Sequence, residues 1–452
     1  MSLITYRGGR YFFMEQLQNQ EAQRMHSRIE NMRRLASLTL ASLALLPSPA
    51  IAAPDYAKPI TANNPHLEAV KGEHTSNVPA LPSAPDLPVP QGKHLELCVA
   101  DEKAVYHDSE AQVEKVVSDS KAMGATCWRV MLKLKYLQEN GWSRFDLMQK
   151  VLDQNGLKTN ITLNMNGAGQ SDAEIARDVT EVVTHYPEGA ITDLAYGNEP
   201  NITGTDPCDY RRQYDIAEQA VHELDPNIKM VNGTVTAYGG PLYYLQREME
   251  CPGTYGGPLY ADAIGINPYQ FIGPPTDPNP PDNSFGVGSL GAYSSWLAEQ
   301  YLAGRVQTRQ GLEPRIVAQE FAYWQDTRGK KNDPNVSYAH RQRYLDPQIA
   351  ADYYQQALGQ FCAYPDVGRV TLYELQAQEV TAPTDWESGQ EDQNGQPLPS
   401  YFAIQGYKQN HPECFVNDSM WLPHPMSSRR PGRIAIKYPV PQVIGQEQQP
   451  TT

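Results

Sequence analysis

Short apolar segments alternate with segments of helical periodicity along most of this 452-residue chain, and this alternation constrains its fold more than any other feature. Eight apolar segments predict buried strands, at residues 95–100, 125–132, 157–165, 191–200, 229–234, 262–269, 315–321 and 368–375. Helical patterns lie between them, at residues 111–123, 145–154, 171–185, 210–224, 292–302 and 349–361. Repeated strand–helix units predict an α/β fold in which eight parallel strands close into a (β/α)8 TIM barrel.

Two of the predicted strands end in carboxylates. The fourth ends in Gly197-Asn198-Glu199-Pro200, and the seventh carries Gln319 and Glu320 near its end. The carboxyl ends of parallel barrel strands share one face, so the sequence predicts that Glu199 and Glu320 lie at the same mouth. Paired carboxylates there are typical of acid and nucleophile chemistry on a sugar. Glu313 precedes its strand and is therefore expected at the opposite face.

The Gly-Asn-Glu-Pro motif at 197–200, followed 121 residues later (320 minus 199) by Glu320, resembles the retaining (β/α)8 glycoside hydrolases of clan A. The resemblance spans roughly residues 95–415. It implies that Glu199 closes the fourth strand as the catalytic acid and base, and that Glu320 closes the seventh as the nucleophile. It implies no cofactor.

The same resemblance assigns roles to residues around the pair. Asn198 is expected to bind the sugar 2-hydroxyl, Arg129 in the second strand to orient the nucleophile, and Tyr269 after the sixth strand to donate a hydrogen bond to it. The alternatives are a turn role for Asn198, a structural ion pair for Arg129, and stacking or plain core packing for Tyr269. Asn267 stands in the sixth strand where many members have histidine, and it is expected to contact substrate.

Other candidate substrate-binding residues follow strand ends. Asn166 follows the third strand, and three aromatic residues near strand-end loops offer flat faces to sugar C–H groups, namely Trp324, Tyr373 and Trp386. Each aromatic residue has ordinary packing as its alternative. Tyr373 stands near the end of the eighth strand, where many members of the clan place a tryptophan.

The net charge and the spacing of Cys and His residues argue against two classes of function, nucleic-acid binding and metal binding. The net charge is −15, and a nucleic-acid partner is not expected from so acidic a chain. No metal site is predicted, because the sequence has neither a Cys-x-x-Cys spacing nor a His-x-His pattern on a strand. Two rival functions are a carbohydrate-binding barrel without turnover and a metal-dependent barrel hydrolase. The intact carboxylate pair argues against the first, and strand ends rich in Asn and Glu argue against the second.

The N-terminal residues resemble a secretory signal peptide. Arg28, Arg33 and Arg34 precede an apolar stretch at 35–46, and Ala50-Ile-Ala52 matches the small-x-small cleavage pattern. A membrane anchor is the alternative, but the apolar stretch is shorter than the ~20 residues that a spanning helix needs. We therefore expect cleavage after residue 52, a secreted or periplasmic protein, and no stable membrane span after cleavage.

The remaining boundaries follow from composition. Residues 53–92 are rich in Pro, Ala and Ser and predict a linker or extended arm, residues 93–415 form the single catalytic domain, and residues 416–452 predict a disordered tail. The sequence specifies neither an oligomeric state nor the sugar that is bound.

Six cysteines in an exported chain permit disulfides, with fifteen possible connectivities if all of them pair. Cys208 and Cys251 lie in predicted loops after the fourth and fifth strands, where they could meet. Cys98 and Cys127 fall inside predicted core strands, and we expect them to be buried thiols.

Overall fold

The computed structural model describes residues 94–164, 170–278, 280, 284–333, 341–376, 388–392, 394–416 and 420–421. The predicted signal peptide at 1–52 and the predicted arm at 53–92 lie outside the described residues. Two predicted substrate-binding residues, Asn166 and Trp386, also lie outside them.

Eight parallel strands close into a barrel in chain order, which confirms the predicted (β/α)8 fold. The strands are β1 Glu96–Ala100, β2 Cys127–Lys133, β3 Lys158–Asn164, β4 Ile191–Tyr196, β5 Lys229–Thr236, β6 Ala263–Asn267, β7 Arg315–Phe321 and β8 Val367–Tyr373. Parallel pairing of β1 with β8 closes the ring, with Glu96 opposite Arg369 and Ala100 opposite Tyr373.

Ten helices are present in the described part of the chain. They are α1 Glu102–Tyr106, α2 Glu110–Met123, α3 Leu134–Asn140, α4 Ser143–Asn155, α5 Asp172–His185, α6 Pro207–Leu224, α7 Pro241–Glu250, α8 Leu290–Leu302, α9 Pro347–Ala363 and α10 Pro399–Asn410. Helix α5 shows why the larger ones form. Ser171 and Glu174 make a capping box at its start, and Ile175, Val179 and Val182 form a buried stripe at helical spacing.

The floor of the barrel, at the amino ends of the strands, is a buried ionic network. The Arg369 guanidinium lies between two carboxylates, at 3.1 Å from Glu96 and 2.6 Å from Asp193. Lys158 reaches the second oxygen of Glu96 at 3.1 Å. Each buried charge has an oppositely charged partner, which offsets its desolvation cost.

The C-terminal segment closes this floor. Val416 and Met420 are buried against an apolar layer of barrel residues, and the Met420 backbone N–H donates to Glu96 at 3.1 Å. Trp421 packs against the same layer, and its indole N–H donates to Asp193 at 3.4 Å. The expectation of a disordered tail from residue 416 is therefore wrong for these residues, while residues 422–452 lie outside the described residues.

All six cysteines are paired. The disulfide between Cys208 and Cys251 confirms that these two cysteines meet, although Cys208 lies in the first turn of α6 and Cys251 directly follows α7. The prediction of buried thiols at Cys98 and Cys127 is wrong, because these residues stand opposite each other in the β1–β2 ladder and form a disulfide with a Cα–Cα distance of 4.6 Å. A third disulfide, Cys362–Cys414, joins α9 to the C-terminal segment. None of the helices among the described residues is long and apolar enough to span a membrane.

Candidate active site

Glu320 lies at the carboxyl end of β7 and is almost completely buried. Each of its carboxylate oxygens accepts one hydrogen bond. Arg129 Nη1 donates to Oε1 at 2.6 Å, and the Tyr269 hydroxyl donates to Oε2 at 2.7 Å. These two donors compensate the negative charge and fix the orientation of the carboxylate, as a nucleophile requires.

Arg129 is the buried centre of the site, with 1% of its surface exposed. Its Nε donates to Thr162 Oγ1 at 2.7 Å, and its Nη2 donates to Asn198 Oδ1 at 3.0 Å. Together with the ion pair to Glu320, these bonds link β2, β3, β4 and β7. Because Asn198 Oδ1 is occupied by Arg129, its amide NH2 is the group left to donate to a bound hydroxyl.

Glu199 follows β4 and has a left-handed backbone conformation, which a hydrogen bond to Thr234 stabilises. Its backbone has a φ of 51°, in the left-handed region that costs energy for residues other than glycine. The Glu199 N–H donates to the Thr234 carbonyl at 2.9 Å, and Thr234 itself has a φ of 57°. A shift in the β5–β6 register between Gly233 and Val235 produces this turn of the chain.

The pKa of the Glu199 carboxyl is raised above its usual value, first by burial and then by the negative charge of Glu320. Hydrogen bonds from Asn267 and Thr236 and the charge of Arg129 oppose this rise without cancelling it. The two carboxyl groups therefore have different electrostatic environments. Glu320 is held by a cation, whereas the pKa of Glu199 is raised by burial and by the charge of Glu320, a shift in the direction that a general acid needs.

Asn267, predicted to contact substrate, lies fully buried at the end of β6 and donates from Nδ2 to Glu199 Oε1 at 3.0 Å. It therefore acts on the carboxyl group. Sequence reasoning missed Thr162, Thr234 and Thr236, which support Arg129 and Glu199. Gly233, inside a predicted strand, was the sequence signal for the register shift in β5, because glycine inside a strand often marks a bulge.

The aromatic candidates occupy different environments. Trp324 is 2% exposed and packs against Phe271 and Tyr344 at ring-centroid distances of 5.0 and 5.3 Å. Trp324 is therefore buried by packing, which was its alternative role, and its stacking on a sugar stays a prediction. Tyr373 ends β8 beside the barrel mouth and is half-buried, and its peptide bond to Glu374 is cis.

One group of possible metal ligands occurs among the described residues, formed by the buried residues Glu96, Cys98 and Cys127 of β1 and β2. The two cysteine sulfurs are joined to each other in the disulfide, so they are not thiolate ligands. This group is separate from Glu199 and Glu320, whose polar neighbours are the residues described above.

No family model matches the chain, and no curated protein sequence matches it. Solved structures do match. A family 39 glycoside hydrolase from the gut symbiont Bacteroides cellulosilyticus superposes with a TM-score of 0.52 and 15% identity, over 70% of this chain and 63% of that chain. A GH5_18 protein from Bifidobacterium longum subsp. infantis gives 0.52 and 14%, over 70% and 79% of the two chains.

A GH5_18 protein from Streptomyces cattleya, in complex with GlcNAc, gives a TM-score of 0.51 and 13% identity, over 71% of this chain and 80% of that chain. This chain thus spans less than two thirds of the length of the family 39 enzyme and about four fifths of the two GH5_18 proteins. At these identities the likeness establishes the shared barrel fold.

Proposed function

We propose that this protein is a glycoside hydrolase that cleaves the O-glycosidic bonds of a β-linked oligosaccharide, polysaccharide or glycoside with retention of configuration. The observation that carries the proposal is the unequal pair of carboxyls at one barrel mouth. Glu320 is held by Arg129 and Tyr269, whereas Glu199 has a raised pKa. A retaining mechanism needs a nucleophile and a general acid in one site, and a carboxylate held by a cation beside a carboxyl of raised pKa suits these two roles.

In the first step, a Glu320 oxygen attacks the anomeric carbon while Glu199 gives its proton to the departing glycosidic oxygen. The bond from the anomeric carbon to that oxygen breaks, and an ester forms between the sugar and Glu320. Tyr269 and Arg129 hold the attacking carboxylate in one orientation. The Asn198 amide donates to the sugar 2-hydroxyl, and this bond strengthens as the ring approaches an oxocarbenium ion.

In the second step, Glu199, now ionised, removes a proton from water, and the water oxygen attacks the anomeric carbon. The ester bond to Glu320 breaks, which restores the carboxylate and releases a sugar of unchanged anomeric configuration. Once the negative charge of Glu320 returns, the pKa of Glu199 rises again, because that charge is one cause of the raised pKa. The mechanism uses no cofactor.

A panel of aryl glycosides and β-linked polysaccharides, followed by NMR of the first-formed anomer, tests the proposal. We expect hydrolysis of at least one class, with the β anomer formed first. An α anomer formed first would reject the double displacement. Sugar binding without any turnover across the panel would instead favour a carbohydrate-binding barrel that lacks activity.

We also propose that the protein is exported and processed, on the basis of the arginine-flanked apolar stretch and Ala50-Ile-Ala52. Three disulfides in the folded domain fit an oxidising compartment. N-terminal sequencing of protein recovered from the periplasm or medium is expected to begin near Ala53 or Pro54. Full-length protein retained in the membrane fraction would identify the segment as an anchor.

A further inference from the structure

A cluster of aromatic side chains lies above the carboxyl ends of three neighbouring strands. We call it the aromatic cluster, and its members are Tyr238 after β5, Tyr269 and Phe271 after β6, and Trp324 and Tyr344 after β7. Tyr269 stacks on Phe271 with ring centroids 5.1 Å apart, and the Tyr269 hydroxyl donates to Glu320. The aromatic cluster is therefore continuous with the candidate nucleophile.

The guanidinium group of Arg343 lies on this cluster. Its central carbon is 5.4 Å from the ring centroid of Phe271, 5.5 Å from that of Trp324 and 5.8 Å from that of Tyr238. Three aromatic faces hold the cation in place. Arg343 makes no ion pair and no hydrogen bond with any described residue, and its Nε is buried without an acceptor. The terminal nitrogens of Arg343 therefore keep their donors for an acceptor that the described residues do not supply.

A second stacked arginine in this protein shows the usual arrangement. Arg309 lies 4.2 Å from the Tyr260 ring centroid, and both of its donating nitrogens reach the Glu218 carboxylate, at 2.8 and 2.6 Å. Arg343 has the aromatic support but lacks the carboxylate. Stacking on an aromatic ring is therefore compatible with a carboxylate partner, and stacking by itself does not explain why Arg343 has none among the described residues.

The surrounding loop is positive although the protein is acidic. The described residues 324–333 and 341–345 contain five Lys or Arg and two Asp, a balance of +3 in a chain whose net charge is −15. A positive segment at the mouth of an acidic protein attracts anions to that place while the rest of the surface repels them. The local charge therefore favours a negatively charged ligand group at Arg343.

We propose that Arg343 binds an anionic group of the substrate, a uronic acid carboxylate or a sulfate ester, on the sugar next to the bond that is cleaved. The inference rests on the proposed glycosidase function and names its substrate class. A planar guanidinium donates two parallel hydrogen bonds to a carboxylate or sulfate, and the two terminal nitrogens of Arg343, which are not buried as its Nε is, supply the recognition. Tyr269, which donates to Glu320, stacks on Phe271, and Phe271 lies against Arg343, so these two rings connect the guanidinium to the reacting carboxylate.

The test compares three aryl β-glycosides that differ only in the group attached to C5, which is a hydroxymethyl group, a carboxylate or a sulfated hydroxymethyl group, in both gluco and galacto configurations. Binding is measured by calorimetry with the S-linked forms, which resist hydrolysis, and turnover with the O-linked forms. We expect one anionic form to bind on the order of 10-fold or more tighter than the neutral form. Added salt should weaken that preference.

Arg343→Gln removes the charge, and Arg309→Gln is the matched control because it also removes a stacked arginine. We expect Arg343→Gln to lose on the order of 10- to 100-fold in affinity for the anionic form and little for the neutral form. Arg309→Gln should keep the selectivity of the parent. Preference for the carboxylate or for the sulfate identifies the anion, and either result supports the inference.

Equal binding of all three forms by the parent protein would overturn the inference, as would an equal loss for neutral and anionic forms in Arg343→Gln. The two proposals fail in different ways. Cleavage of neutral glycosides without an anionic preference leaves the glycosidase function standing, whereas selective anion binding without any cleavage leaves the Arg343 site standing and rejects the glycosidase function.

Discussion

Glu199 and Glu320 have different surroundings, so replacing each by alanine should impair turnover in a different way. Glu320 accepts from Arg129 and Tyr269, and it is the only carboxyl of the two that a cation holds directly. Glu320→Ala should abolish turnover of every substrate, on the order of 10⁵-fold, because the covalent step is lost. Initial rates on the best glycoside of the panel measure this loss.

Glu199→Ala should retain the first step when the leaving group needs no proton. A dinitrophenyl glycoside should therefore still release its phenol in a burst, and the glycosyl-enzyme should accumulate. Azide needs no general base and should speed its release as a glycosyl azide of retained configuration. Equal inactivity of both variants toward this substrate, with azide without effect on either, would show that the roles are assigned wrongly.

Asn267 offers a test of how the pKa of Glu199 is set. Its hydrogen bond lowers that pKa, against burial and the charge of Glu320, which raise it. Removing the bond in Asn267→Leu should raise the pKa of Glu199 further. Because Glu199 must start protonated, the alkaline limb of the kcat/KM profile should move to higher pH. A limb that stays in place while kcat falls would assign Asn267 a purely structural role.

Among the elements, α6 and α7 are joined near their ends by the Cys208–Cys251 disulfide. It connects the first turn of α6 to the residue that ends α7, across 43 positions of sequence. Replacing both cysteines by alanine should lower the free energy of unfolding by about 2–4 kcal/mol, mainly because the unfolded chain gains freedom. Urea unfolding measures the change.

The parent protein unfolded with and without a thiol reductant is the control for this disulfide. The double alanine variant should be insensitive to any reduction of Cys208–Cys251, which is partly exposed at Cys208. An unchanged urea midpoint in the variant would mean that the contacts between α6 and α7 hold these helices together without the covalent link.

For the whole molecule, Glu248 makes stability depend on pH. It is fully buried, its pKa is raised to about 8 chiefly by that burial, and the hydrogen bond from Asn232 offsets the rise only in part. The folded state thus binds this proton more tightly than the unfolded state, whose carboxyl has a pKa near 4.5. Stability should therefore fall as pH rises from about 4.5 to about 8, by a few kcal/mol at most from this group.

Glu248→Gln, measured by urea unfolding at several pH values across this range, should flatten the dependence. Glu250→Gln is the matched control, because Glu250 lies in the same helix but is exposed and paired with Arg247 at the surface. Asp101 and Glu391, whose pKa values burial raises to about 6 and about 7, act in the same direction, so some slope should remain. A slope unchanged by Glu248→Gln would show that this carboxyl does not carry the effect.

The barrel, its strand order and the placement of Glu199 and Glu320 followed from the sequence, because they depend on local patterns. Apolar runs between helical periods define strand–helix units, and eight parallel strands have few ways to close. The capping box of Ser171 and Glu174 could be predicted for the same reason, because the two residues are only three positions apart. Helix α7 was not predicted. Two glycines followed by Pro241 are typical of a loop, but here the helix begins at that proline.

Contacts between distant residues depended on the tertiary structure. The Cys98–Cys127 disulfide requires the β1–β2 register, which places residues 29 positions apart opposite each other. Asn267 binds Glu199 from a strand 68 positions away, and Met420 donates to Glu96 across 324 positions. Sequence periodicity reports only which face of an element is apolar, whereas strand register, burial and charge pairing arise when separate elements pack together. The strands and helices of this protein could therefore be predicted from local sequence patterns. Which distant residues bond to each other was determined by how those elements pack.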